Sequence, residues 1–388
     1  MIIPKTKMLN AERAIFRVFK NKLLNLHYRF GISTALPPVS CQLEITTVCN
    51  YNCVMCNRHF VEKERKNKMM SVEEFEIILN NFPKSMKHIF FVGQLGDAFC
   101  HPRFYDFLDI ATRRNYQISI ATNGSRLTKE RIDELTGFNL WRLHVSLDAT
   151  DKETYSNIRG GDIEKIVESL TYLKTKKPQV LLYLAMVLMK DTVEQIHSFF
   201  ETAQNINPDL IILQMMIPYS VDIWRGQSLY NYPDKLDKVV EFINEQFKNP
   251  TLNLMRGGGS KNWNLNPVNG LCDSAFFLPQ IMVNGDVVPC CMVSNADEEF
   301  TGGVTARINP RNYVIGNVLK EPLSVLWNNK KIKHIRKEII NSYKYHNRRA
   351  GAPKPLNIKD FENIKKNTAV QKACDYCKVC ALRWQVGG

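Results

Sequence analysis

Three cysteines stand within eight residues, Cys49-Asn50-Tyr51-Asn52-Cys53-Val54-Met55-Cys56, spaced C-x3-C-x2-C. Thiolates are soft metal ligands. A structural zinc site closes four ligands around the ion, typically as paired C-x2-C arms. Here one loop offers three thiolates, and His59, the fourth candidate, lies only three residues beyond Cys56. A tight loop would have to wrap the ion. Thiolates also hold [4Fe–4S] clusters, one cysteine per iron. Three would leave one iron open, and an open metal position is a coordination site for a small molecule. A second set, Cys272, Cys290, Cys291, Cys374, Cys377 and Cys380, is spread over the last third of the chain. Zinc and iron–sulfur chemistry both remain open for each set on spacing alone.

The chain has 388 residues, enough for two domains or one large domain with an extension. At 44% hydrophobic and 23% charged it is ordinary globular material. No apolar run reaches the roughly eighteen residues of a membrane span. The first twenty residues hold no unbroken apolar core before a small-residue cleavage site, so no signal peptide is read and a cytoplasmic protein is expected. In that compartment eleven cysteines favour metal or redox chemistry over disulfides. Cys41 and Cys100 fall outside the clusters and are expected to be small buried residues. The net charge of +14 sits at the ends. Residues 1–40 hold seven Lys/Arg against one Glu, and residues 341–388 hold ten against three Asp/Glu. Basic ends suit an acidic partner, a nucleic acid or an anionic surface, or serve as solvated charge. No RNA-binding aromatic motif lies on a strand and the middle is nearly neutral, so nucleic acid is not an expected partner.

Elements must position the cysteines, and their rhythm is regular. Strands are expected at 42–46, 88–93, 117–122, 142–147, 180–188 and 210–216. Helices are expected at 71–82, 103–114, 128–137, 162–176, 192–205 and 234–248. Ser71 and Glu74 form a capping box. Six strand–helix units imply a parallel sheet with right-handed crossovers, a partial (β/α)6 barrel rather than a full one. The cysteine loop follows the first strand, at the end of the sheet where chemistry is expected. Residues 11–30 read as a basic amphipathic helix, ended by Pro37-Pro38. After residue 250 a Gly/Asn-rich stretch reads as a linker, followed by a hairpin around Asn284-Gly285 and the basic stretch 344–372. The expected domains are a basic helical extension (1–40), the partial barrel (41–250) and a small cysteine-rich domain (251–388).

The C-x3-C-x2-C spacing resembles that of the radical S-adenosylmethionine (radical SAM) family, and the resemblance extends to later segments. Leu95-Gly96-Asp97-Ala98 stands in the place of the family's GGEP-like segment, with Asp for Glu and Ala for Pro. Ala121-Thr122-Asn123-Gly124 is similar to its TNG turn. Val145-Ser146-Leu147-Asp148 with Ile158-Arg159-Gly160-Gly161 is similar to its SLD…iRG segment. Met55 stands where an aromatic residue is usual before the third cysteine. Cys272, Gly285-x4-Cys290, Ile315–Asn329 and the terminal cysteines resemble the SPASM extension, which holds auxiliary iron–sulfur clusters. Its C-x2-C-x5-C-x3-C portion is replaced here by CDYCKVC (374–380), which is also similar to the start of a ferredoxin run.

The resemblance implies a [4Fe–4S] cluster on Cys49, Cys53 and Cys56, with SAM on the open iron. It implies SAM contacts from Gly96, Asp97, Asn123, Ser146 and Arg159. Asp97 would meet the ammonium group, and Ser146 and Arg159 the carboxylate or ribose. One auxiliary cluster would use Cys272, Cys290, Cys374 and Cys377, with Cys380 competing for a place and Cys291 left spare. SAM would be cleaved reductively to a 5′-deoxyadenosyl radical that takes hydrogen from a carbon of a peptide or small molecule. The net outcome would be oxidation or cross-linking. If Cys100 or Cys291 donated hydrogen, it would be epimerisation. An external flavodoxin- or ferredoxin-like electron donor and a separate peptide-carrier protein are implied partners. A metal-stabilised, non-catalytic nucleic-acid-binding protein is the alternative from a different class.

Overall fold

Seven short parallel strands form the spine of the molecule. In chain order they are β1 (Ser40–Leu43), β2 (His88–Phe91), β3 (Gln117–Thr122), β4 (Leu140–Ser146), β5 (Leu181–Leu188), β6 (Leu210–Met215) and β7 (Leu254–Arg256). Each pairs in parallel with the next. Buried and half-buried residues alternate along β1, β2 and most of β4. The structure is a computed structural model that describes residues 20, 22–217, 219–246, 254–256, 273–291, 298–301, 304–307 and 310–348. The six expected strands are all present: β3 has the expected bounds, β1 and β4 begin two residues earlier than expected, and no other end shifts by more than three residues. β7 is a correction: three residues of the expected linker join the sheet instead.

Amphipathic helices cover the outer face. Helix Phe104–Arg113 buries Phe104, Phe107, Leu108, Ile110 and Ala111, one stripe of a 3.6-residue period. The capping box at Ser71 and Glu74 forms as expected: the Ser71 hydroxyl accepts from Glu74 N at 3.1 Å, and Glu74 accepts from Ser71 N at 2.7 Å. A helix absent from the sequence reading, Lys152–Arg159, ends at Gly160 with φ +85°.

The C-terminal region continues the same sheet. β8 (Gln280–Ile281) pairs in parallel with β1, β9 (Asp286–Val288) pairs antiparallel with β8, and β12 (Gly316–Asn317) pairs antiparallel with β9. A separate hairpin joins β10 (Glu298–Thr301) to β11 (Val304–Arg307). The expected hairpin around Asn284-Gly285 is thus the edge extension that covers β1. Asn81 Nδ2 donates to Val318 O at 2.8 Å, and Leu323 N to Asn81 O at 2.9 Å, which ties this region to the helix before β2. The basic N-terminal helix, described over 22–30, docks on the same region. Leu24, His27 and Tyr28 are buried, and His27 packs on Phe276 at 4.8 Å. No helix among the described residues is long and apolar enough to cross a membrane.

Candidate active site

The cysteine loop leaves β1 and folds back under constraints from three neighbours. Gly96 allows the first. A Cβ there would lie 2.4 Å from Thr46 O and 2.7 Å from Val48 O, and Asp97 N donates to Val48 O at 2.9 Å. Only glycine lets the loop after β2 approach the root of the cysteine loop so closely. Val54 N donates to Ile158 O at 2.9 Å, which anchors the loop to the end of helix Lys152–Arg159. Tyr51, between the first two cysteines, rests its hydroxyl where a Cβ on Gly161 would be, 1.8 Å away.

The three sulfurs are half-buried. Tyr51 N donates to Cys49 Sγ at 3.5 Å, and Arg58 N donates to Cys56 Sγ at 3.4 Å. Burial pushes all three thiols up. Cys53 reaches about 11 although the charge of Arg159 pulls it down. Thiols so placed ionise when a bound cation compensates them. His59, the fourth zinc candidate, turns Nε2 to Cys53 O at 3.0 Å, so its ring serves the loop's backbone. Among the described residues no three His, Cys, Asp or Glu side chains converge on one ion.

Polar side chains ring the first cysteine. Asn123 Nδ2 lies 3.8 Å from Cys49 Sγ and 3.1 Å from Asn50 Oδ1. Asn50 Nδ2 donates to Ser125 Oγ at 2.9 Å. Cys100, expected to be buried, is instead half-exposed in this ring, with its thiol 3.3 Å from Asn50 Oδ1. Cys41 is fully buried, as expected.

Asp97 is 3% exposed, and its oxygens are heavily engaged. Phe99 N donates to Oδ1 at 3.0 Å, while Thr122 Oγ1 and Asn123 N donate to Oδ2 at 2.9 and 2.7 Å. The carboxyl group therefore staples the loop after β2 to the turn after β3. Burial pushes its pKa up against those three donors. Arg159 is buried, not a surface helix residue, and its Nε donates to Asp148 Oδ2 at 2.6 Å. Burial opposes its charge, but Asp148 and Cys53 outweigh that and push its pKa up. Asp148 is itself fixed by Val187 N at 2.7 Å. Ser146 ends β4 beside Ala185. Met55 packs against the core.

Under the site, the inner face of the sheet is polar. His88 bridges Ser40 Oγ at 2.8 Å and Ser119 Oγ at 2.7 Å, and Arg142 lies over the rings of Phe90 and Tyr183. Burial, with Arg142 beside them, holds His88 down to about 3 and His144 to about 4, so both are neutral.

Two family models match this chain. That of the radical SAM superfamily covers residues 43–203, and that of an iron–sulfur cluster-binding (SPASM) domain covers residues 272–381. The chain belongs to the radical SAM superfamily. A [4Fe–4S] cluster, SAM and auxiliary iron–sulfur chemistry go with these two domains, and membership makes the chain an enzyme. Similar radical SAM sequences include the tungsten-containing aldehyde ferredoxin oxidoreductase cofactor-modifying protein of Pyrococcus furiosus, 26% identical over 78% of this chain and 84% of that one. The AdoMet-dependent heme synthase of Methanosarcina barkeri is 24% identical over 45% of this chain and half of its own length. Among solved structures, anSMEcpe with bound AdoMet and Cp18Cys peptide aligns with a TM-score of 0.59 at 17% identity, over 89% of this chain and 88% of that one. Streptococcus suis SuiB bound to precursor peptide SuiA aligns with a TM-score of 0.57 at 15% identity, over 87% and 72%. These likenesses carry the fold.

The residues present fit the first cluster: three thiols in one loop, N–H donors on two sulfurs, and a buried cation near Cys53. For the auxiliary site, Cys290 is buried just beyond β9 and the neighbouring Cys291 is half-exposed and packed against the core. Cys272, Cys374, Cys377 and Cys380 lie outside the described residues.

Proposed function

We propose that this enzyme is a radical SAM oxidoreductase acting on a carbon centre of a peptide or small molecule, with net oxidation or cross-linking. The observation that carries the reading is a single loop with three half-buried thiols, N–H donors on two of the sulfurs and the buried Arg159 near Cys53. Cys49, Cys53 and Cys56 hold the first cluster. Gly96, Asn123, Ser146 and Arg159 surround SAM, with Asp97 shaping that cradle through Thr122 and Asn123. When bound, cluster and SAM supply a 5′-deoxyadenosyl radical, and the auxiliary cluster supplies an electron acceptor. Cys290, with Cys272 and the terminal cysteines, holds that second cluster. SuiB and anSMEcpe bind peptides, which supports a peptide substrate here, brought by a separate carrier protein. A flavodoxin- or ferredoxin-like donor supplies the starting electron. The test is anaerobic reconstitution followed by iron and sulfide analysis and assay of 5′-deoxyadenosine. About eight irons per chain and SAM cleavage are expected for two [4Fe–4S] clusters. Zinc in place of iron would overturn the reading.

Epimerisation is the second reading, and Cys100 favours it. Its thiol sits beside the cysteine loop, and burial pushes its pKa up, so it keeps the S–H that a hydrogen donor needs. If Cys100→Ala removes product while leaving SAM cleavage intact, epimerisation replaces oxidation. Product formation unaffected by Cys100→Ala leaves oxidation in place.

A further inference from the structure

Glu44 takes no part in the reading above. It lies just beyond β1 and is 2% exposed. Leu95 N donates to its Oε1 at 3.0 Å, and the backbone N–H groups of Gln94 and Val283 face the carboxyl more loosely, favouring its charged form. These donors come from two separate parts of the fold. Gln94 and Leu95 lead into Gly96 and Asp97. Val283 belongs to the turn between β8 and β9, and β9 leads to Cys290. The seam around them is closely bonded: Glu44 N donates to Ile281 O at 2.9 Å, and Gln94 Nε2 to Gln280 Oε1 at 3.3 Å. A buried carboxyl group carries a desolvation cost that an apolar side chain of similar size would avoid. Without an acceptor there, however, the N–H groups aimed at it would be orphaned.

We propose that Glu44 is a positioning residue that holds the Gly93–Asp97 loop and the β8–β9 turn in one fixed relation, so that the loop facing SAM takes its shape only with the C-terminal hairpin in place. This rests on the reading that residues 93–97 meet SAM. The auxiliary-cluster hairpin then does more than carry Cys290: it braces the SAM cradle from the far edge of the sheet.

The turn itself offers a clean test. Gly285 N donates to Met282 O at 2.9 Å, and Gly285 has φ +80°, as in a type I turn closed by a glycine bulge. Val283 is the first central residue, a position proline favours. Val283→Pro therefore removes the hairpin's donor and leaves Glu44 untouched. In cluster-loaded full-length protein, SAM affinity and amide hydrogen exchange of segments 93–97 and 282–288 are measured. Glu44→Gln, which sets an amide N–H against backbone donors, is expected to weaken SAM binding at least about tenfold with iron content unchanged. Both segments should exchange faster together. Val283→Pro should reproduce the weaker SAM binding and the faster exchange at 93–97. SAM affinity and 93–97 protection at wild-type levels in Val283→Pro would overturn the proposal, even if Glu44→Gln fails to fold. If the wild type binds no SAM, the functional reading falls, and linked exchange of the two segments still tests Glu44.

Discussion

The two cysteine sets hold the same kind of ligand in opposite ways. The first set spans eight residues of one loop, and its supports come from the ends of β1, β2, β3 and β4. The second set spans more than a hundred residues, from Cys272 to Cys380, and its one described candidate, Cys290, hangs from a hairpin added to the sheet's edge. A local loop can present three thiols by short-range geometry alone. A dispersed set must be assembled by tertiary contacts, here through β1, the Asn81–Val318 tie and the docked N-terminal helix. The first set should therefore keep its iron when the second set's cysteines are removed, provided the C-terminal hairpin itself stays folded against Glu44.

The largest effect tests that independence directly. Cys53→Ala should reduce 5′-deoxyadenosine formation to background and remove about four irons per chain, while the auxiliary cluster stays. Cys290→Ala should do the reverse: iron falls by about the same amount, SAM cleavage persists, and product formation stops. Cys291→Ala should leave both iron counts intact. Iron analysis, visible spectra and product chromatography read all three. Loss of SAM cleavage in Cys290→Ala would show that the two sites are not separable.

The same contrast explains what the sequence could reveal. The strand–helix rhythm was legible because short strands rich in β-branched and aromatic residues alternate with helical apolar stripes, and the capping box at Ser71 needs only residues three apart. The cysteine triad was legible because its spacing is local. β7 was not, since Leu254–Arg256 is three residues long in a Gly/Asn-rich stretch. Helix Lys152–Arg159 was missed because it buries little beyond Tyr155, Ile158 and Arg159. Asp97 was legible as a carboxylate for SAM, but the donors that orient it were not, since Thr122 and Asn123 are a strand away. Glu44 left one signal, a lone acid between Leu43 and Ile45, and nothing local pointed to its partners near Val283.

Next in size is the buried pair beneath the first site. Arg159→Met leaves Asp148 charged and buried, which should cost about 3–5 kcal/mol of stability. Arg159→Met with Asp148→Asn should recover much of that loss, because no uncompensated charge remains. Urea unfolding of the cluster-free protein measures both. Equal losses in the single and double variants would mean that the pair is replaceable packing, and that Arg159 matters for its shape alone.

The smallest effect bears on the seam between the two regions. Burial raises the Glu44 pKa from 4.5 to about 7, with its backbone N–H donors and the charge of Arg65 pulling the other way. A carboxyl group with a raised native pKa binds its proton in the folded state while the unfolded chain has already lost it. Between pH 4.5 and about 7 the native state thus holds more protons, and stability contributed by this group falls as pH rises through that window. Above pH 7 the loss is complete and amounts to at most about 3 kcal/mol. Glu44→Gln has no such proton to lose, so the wild-type minus variant difference in unfolding free energy should decline from pH 5 to pH 7 and then level off. A flat difference would mean that the N–H donors from Gln94, Leu95 and Val283 fully offset burial and keep the carboxylate charged throughout. That outcome would make the seam stronger at neutral pH than the burial of Glu44 implies, and the C-terminal hairpin a firmer brace for the SAM-facing loop.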